Sequence, residues 1–311
     1  MRPRSMFFAL FASLFTGAAF SAPPVAYVYA PTPAGIYGYA ASSRGELTQI
    51  ESSPFSQTAG SIVGSNSRYF ITVDSEYVHA YVVAADGAIG EQVSQIDTQL
   101  FGGSQCGAVN SAVLGHSGRY VYVLLQGGSG LTPCAVYQTY EIGRTGLLTF
   151  KGTTSDVSHG GFPAETPLTI EGNGQYAFEA SEGTGYTSPD SGCNPYLNGF
   201  SRESDGVLDY FAPTADVIGP APGSDGDELL PVPWLITNDP SDHFAIAVFD
   251  ISGPGCGIGG PVQLASFTVN STGDLTSTNT GGNMPTVPGG TSRILLNTAG
   301  TVLAVATGHG V

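Results

Sequence analysis

Positive charge is nearly missing from this sequence. Nine Lys and Arg face 25 Asp and Glu along 311 residues, for a formal net charge of −16. Lys151 is the single lysine, so a lysine-based phosphate pocket is not expected. Arg2 and Arg4 lie in an N-terminal leader, and without them the balance falls to −18. Such a surface repels phosphate backbones and anionic membranes, which argues against nucleic acid as a partner and fits solubility outside the cell. Charged residues of both signs make up only 11% of the chain. No run beyond the leader is apolar long enough to span a bilayer, which takes ~20 residues. No Cys/His pattern has zinc spacing, and neither a Gly-x-Ser-x-Gly elbow nor a phosphate loop is present. No cofactor is expected.

The leader itself has the three parts of a secretory signal. Arg2 and Arg4 form the positive end, Met6 to Phe15 is the apolar stretch, and Ala19-Phe20-Ser21 offers small residues for cleavage before Ala22. Residues 1–21 are therefore read as a signal peptide and 22–311 as one domain, secreted or periplasmic and monomeric. The four cysteines, Cys106, Cys134, Cys193 and Cys256, fit two disulfides in an oxidising compartment. Four cysteines allow three pairings. Their positions in neighbouring connections favour Cys106–Cys134 and Cys193–Cys256, and a redox role is the lesser alternative.

What the chain has in abundance is glycine, with 44, and proline, with 21, among 16 Phe and 15 Tyr. Many turn formers between aromatic and β-branched runs specify short strands. The runs repeat. An apolar strand, a small polar turn and a Tyr/Val/Phe-rich strand occur at Ser61–Val73, Ala112–Val123, Leu168–Glu179, Trp234–Val248 and Ile294–Ala304. A second hairpin follows, its turn marked by Gly45, Gly87, Gly146, Gly206 and Gly273, each with an aliphatic residue two positions on. We name the four strands of a unit A, B, C and D. Repeated A-B-C-D meanders are the blades of an all-β propeller. The first unit has B, C and D and the last has A and B, so five to six blades are expected, the last one truncated.

Ala26-Tyr27-Val28-Tyr29-Ala30, Tyr120-Val121-Tyr122-Val123 and Gly45-Glu46-Leu47-Thr48 running on to Ser53-Pro54-Phe55 carry a resemblance. The chain resembles the lactonase-like, YVTN-type seven-bladed propellers of exported bacterial proteins. That resemblance implies the fold over roughly Val25 to Val311. For activity it implies either sugar-lactone hydrolysis and muconate-type cycloisomerisation or no catalysis at all. The enzyme branch carries D-L-G-x-D after a B strand. Here the place reads Val73-Asp74-Ser75-Glu76-Tyr77, which keeps Asp74 and lacks the rest.

The B–C and D–A connections meet on one edge of such blades, where ligands bind between loops on a rigid scaffold. Three placements on that edge stand out. His159, in the D–A connection with Asp156 and Glu165, has the composition of a general base beside a carboxylate, though a solvated loop reads the same way. Asp225, Asp227 and Glu228 are oxygen donors close enough for calcium, without the twelve-residue calcium-loop spacing. Glu179 and Glu182 end a B strand near the channel mouth. His79 falls within a C strand, and His116 and His243 at A–B turns. Asn270-Ser271-Thr272 matches a glycosylation sequon but overlaps the C–D turn. The first functional reading is binding of a small ligand, glycan or protein on the looped edge. The alternative is a lactonase-like enzyme with His159, Glu165 and Asp74 as its catalytic groups.

Overall fold

The computed structural model describes residues 23–306 apart from 58–59, 102–105, 128–133, 156–168, 171–173, 184–193, 212–229, 239–242, 253–256, 259–262, 277–284, 287–292 and 297–301. The described chain is all-β save for one short 3-10 turn at Thr98–Phe101. None of its helices is long and apolar enough to cross a membrane.

The first sheet joins β1 (Ala26–Thr32), β2 (Gly35–Ala41) and β3 (Leu47–Gln49). The second is the meander β4 (Ser61–Ser65), β5 (Tyr69–Val73), β6 (Tyr77–Val83) and β7 (Ile89–Asp97). The third is β8 (Ala108–Leu114), β9 (Tyr120–Gly127), β10 (Cys134–Ile142) and β11 (Leu148–Ser155). The fourth is β12 (Thr169–Ile170), β13 (Tyr176–Gly183), β14 (Asn194–Arg202) and β15 (Leu208–Phe211). The fifth runs β16 (Leu230–Asn238), β17 (His243–Ser252), β19 (Gln263–Val269) and β20 (Leu275–Thr276), with β18 (Gly257–Ile258) pairing β17 alongside. A last hairpin pairs β21 (Arg293–Leu296) with β22 (Leu303–Ala306). Every pairing is antiparallel and the A, B, C and D strands fall where the sequence repeat puts them.

Why these meanders stack is visible in β9. Tyr120 to Leu125 are all 2% exposed or less, so both faces of the strand are covered. Side chains of a strand alternate between faces. Val121, Val123 and Leu125 pack with Ile71, Val73 and Val78 of the second sheet. Tyr120, Tyr122 and Leu124 pack with Ala177, Phe200 and Leu208 of the fourth. The second sheet repeats the pattern, with Phe70 and Tyr81 turned to Ile36 and Phe55 of the first. Successive meanders therefore lie face to face, in chain order, as propeller blades do.

One device recurs at these junctions. The C–D turn glycines, Gly45, Gly87, Gly146, Gly206 and Gly273, all have φ between +80° and +94°, which only glycine adopts without strain. Four of them also have an aromatic ring from the preceding B strand pressed on the Cα: Tyr27 on Gly87, Tyr69 on Gly146, Tyr120 on Gly206 and Tyr176 on Gly273. Three of these tyrosines donate to the carbonyl two residues before the glycine, Tyr27 to Ala85 and Tyr69 to Arg144 at 2.7 Å and Tyr176 to Ser271 at 2.9 Å. Tyr29 and Tyr122, two residues further along β1 and β9, donate to the glycine carbonyls of Gly87 and Gly206. The Tyr-Val-Tyr segments that carry the family resemblance are thus latches between sheets.

Candidate functional site

In a meander the A–B and C–D connections share one edge and the B–C and D–A connections the other. The first edge is built from tight turns: β5 follows β4 from Ser65 to Tyr69, and β11 follows β10 from Ile142 to Leu148. On the second edge the gaps widen along the chain. Gly127 leads to Cys134, Gly183 to Asn194, and Phe211 to Leu230. The edge with long connections is where functional side chains are sought.

Asp74 lies there, in the short B–C turn between β5 and β6. Its Oδ1 accepts the backbone N–H groups of Glu76 at 2.9 Å and Tyr77 at 2.7 Å, which caps the turn. Its Oδ2 lies 2.9 Å from His79 Nε2. Burial alone would raise the Asp74 carboxyl, but the Glu76, His79 and Tyr77 hydrogen bonds outweigh it and hold the group below the ordinary aspartate value. A carboxylate that accepts from Nε2 fixes that nitrogen as the protonated one in the neutral ring and leaves Nδ1 as an acceptor. Nδ1 is buried with no hydrogen-bond partner among the described residues. The ring sits between Tyr77 and Tyr81, centroids 6.0 and 6.2 Å away. An imidazole oriented by a carboxylate is the base half of a proton-transfer site. His79 lies in the C strand β6, as its sequence position predicts, and is also tied to Asp74. The signal for its pairing was the tight turn, which brings residue 79 back beside the end of β5, where it faces Thr72.

A second polar group is sealed inside. Glu179 in β13 is fully buried and its Oε2 accepts the Tyr137 hydroxyl across the third and fourth sheets. Gln138, also fully buried, accepts from the Tyr140 hydroxyl and donates from Nε2 to the Thr98 carbonyl at 2.9 Å. Buried polar groups with such partners tie strands together. Glu179 therefore serves the junction between sheets, where the sequence had suggested the channel mouth.

Cys106 is 3% exposed and disulfide-bonded. Its carbonyl lies against the Cα of Gly127, whose cross-strand partner is Cys134, the first residue of β10. Cys193 and Cys256 lie outside the described residues, as do His159, Glu165, Asp225, Asp227 and Glu228. Among the described residues no group of three or more His, Cys, Asp or Glu is placed to hold a metal ion. Asn270 of the sequon turns inward on its own C–D turn, its Oδ1 accepting from the backbone of Thr272 and Asp274 at 2.9 Å each.

Neither a protein-family model nor a curated protein matches the chain. Among solved structures, a luciferin-regenerating enzyme superposes with a TM-score of 0.48 at 10% identity, covering 90% of this chain and 79% of that one. A protein from Lactobacillus plantarum gives 0.47 at 13% identity, over 81% of this chain and 67% of that one. A streptogramin B lyase gives 0.40 at 13% identity, over 90% and 75%. Likenesses this loose bear on neither substrate nor residue roles.

Proposed function

We propose that this protein is an exported, lactonase-like propeller that binds a small molecule, glycan or protein between its B–C and D–A connections. The observation that supports this is the inequality of the two edges: latched turns on one, long intervals between strands on the other. Rigid sheets presenting long connections are the usual platform for recognition. The buried, disulfide-bonded Cys106 supports an oxidising compartment, and its seat beside Gly127, the cross-strand neighbour of Cys134, supports pairing with Cys134. Export predicts a mature N-terminus at Ala22, read by sequencing the protein recovered outside the cytoplasm.

Binding is tested with a panel of soluble glycans and aldonolactones, using chains in which 184–193 or 212–229 is replaced by a short Gly/Ser linker. The reading expects a ligand of the intact chain whose affinity falls at least tenfold on replacement. Unchanged affinity in both replaced chains contradicts it.

The Asp74–His79 contact favours a second reading, lactone hydrolysis, with the hydrogen-bonded pair as the proton-transfer group and Asp74 its more exposed member. Turnover of an aldonolactone that drops by about 10²-fold or more in His79→Ala supports it, on the scale general bases contribute. Turnover indifferent to His79→Ala and Asp74→Asn removes the pair from the reaction. His159→Ala separates the histidine expected from the sequence.

A further inference from the structure

The scarce positive charge is not scattered. Seven basic residues follow the leader, and three of them, Arg68, Arg119 and Arg144, line one groove of about 500 Å³ on the tight-turn edge. Arg68 comes from the A–B turn of the second sheet, Arg119 from the A–B turn of the third, and Arg144 from the third sheet's C–D turn. Arg119 and Arg144 share the edge of the third sheet, and Arg68 joins them because the second sheet stacks on the third.

The groove is held in shape by bonds that cross the junction. Asn66 Oδ1 accepts the backbone N–H groups of Arg68 at 3.0 Å and Tyr69 at 2.8 Å, while its Nδ2 donates to the Gly118 carbonyl at 2.7 Å. The Tyr69 hydroxyl donates to the Arg144 carbonyl. Each arginine backbone is thereby fixed within one residue of an inter-sheet hydrogen bond, although the side chains themselves are exposed.

One carboxylate enters the groove. Glu141 accepts Arg119 Nε at 2.8 Å and Nη2 at 2.6 Å, and Lys151 Nζ at 3.3 Å. Arg68 and Arg144 have no ion-pair partner among the described residues. Three guanidiniums against one carboxylate leave two uncompensated positive charges in a strongly acidic molecule.

We infer that this groove is a binding site for a small oxyanion-bearing solute, distinct from the looped edge. Paired guanidinium donors match the oxygens of carboxylate, sulfate or phosphate. The volume lies within the range of small-molecule sites. The net charge of −16 opposes a long polyanion while leaving a local positive focus for a mono- or dianion. The hydroxyls of Ser67 and Ser117 on the same wall add neutral donors for the remaining oxygens.

The test is calorimetric titration of the intact chain at low ionic strength with three probes: inorganic sulfate, inorganic phosphate and D-glucuronate. The expected result is one saturable site for at least one probe. Affinity falls tenfold or more in Arg68→Ala/Arg144→Ala and is unchanged in Arg44→Ala, with the far-ultraviolet dichroism of both variants matching the parent. Binding also weakens as salt is raised. A preference for glucuronate assigns the site to acidic sugars, and a preference for sulfate or phosphate assigns it to tetrahedral anions. No binding of any probe, or equal binding by the double variant, overturns the inference.

Discussion

Tyr69 illustrates how much one side chain carries here. Its ring covers Gly146 and its hydroxyl holds the Arg144 carbonyl, so packing and hydrogen bonding act at the same point. Tyr69→Phe keeps the ring and removes the bond. The expected cost is about 1 kcal/mol in denaturant unfolding, typical of one hydrogen bond between neutral groups. A cost near zero would mean that the ring alone makes the latch. Ionisation gives a separate measure. Burial, helped by the charges of Tyr27 and Asp86, pushes the Tyr29 phenol up to about 12, and burial pushes Tyr122 and Tyr140 in the same direction. A phenol whose folded value is raised favours the fold below the ordinary value of 10. That contribution is lost as pH climbs from 10 towards 12, because the unfolded chain releases protons that the folded one retains. Stability measured by urea unfolding should therefore fall through that interval, and phenolate absorbance at these tyrosines should appear only with unfolding. Titration of every tyrosine near 10 in the intact fold would contradict the burial of these rings. Asp74 and Glu141 act with the opposite sign: hydrogen bonds, with neighbouring basic groups, hold both carboxyls low, so their contributions are lost as pH falls below the ordinary carboxylate range.

At the scale of the strand and its turn, local chemistry is strict enough to be legible in the sequence. A C–D turn needs a residue at φ near +85°, and Gly146 or Gly206 announces it. A B strand covered on both faces reads as an aromatic and aliphatic run, as Tyr120 to Leu125 of β9 do. What the sequence left hidden arises between elements. His79 meets Asp74 only once the B–C turn closes, Glu179 meets Tyr137 only across two sheets, and the arginine groove exists only after three turns have been stacked. The long connections that hold His159, Glu165 and the Asp225–Asp227–Glu228 cluster lie outside the described residues. An element-level test is available at β10. If Cys134 is bonded to Cys106, a peptide map without reductant joins those two segments. Cys134→Ser then costs about 3 kcal/mol, as expected when a cross-link no longer limits the unfolded chain. A map that joins Cys134 to Cys193 or Cys256 would contradict the pairing.

Across the whole molecule the two edges divide the work. One edge is closed by tyrosine latches at each of four successive junctions, and the arginine groove is built into it. The other carries the long connections and the Asp74–His79 pair. This division depends on each meander packing on the next in chain order. Glycine-to-alanine replacement at the five C–D turns reads that order most directly. At Gly45 the added methyl meets nothing within 4 Å, so the expected cost is only that of the left-handed backbone, about 1 kcal/mol. At Gly87, Gly146, Gly206 and Gly273 the methyl also strikes a tyrosine ring of the preceding sheet. Each of these replacements should cost about 1–3 kcal/mol more than Gly45→Ala. Five equal costs would mean that these turns face solvent and that the sheets do not stack in this order.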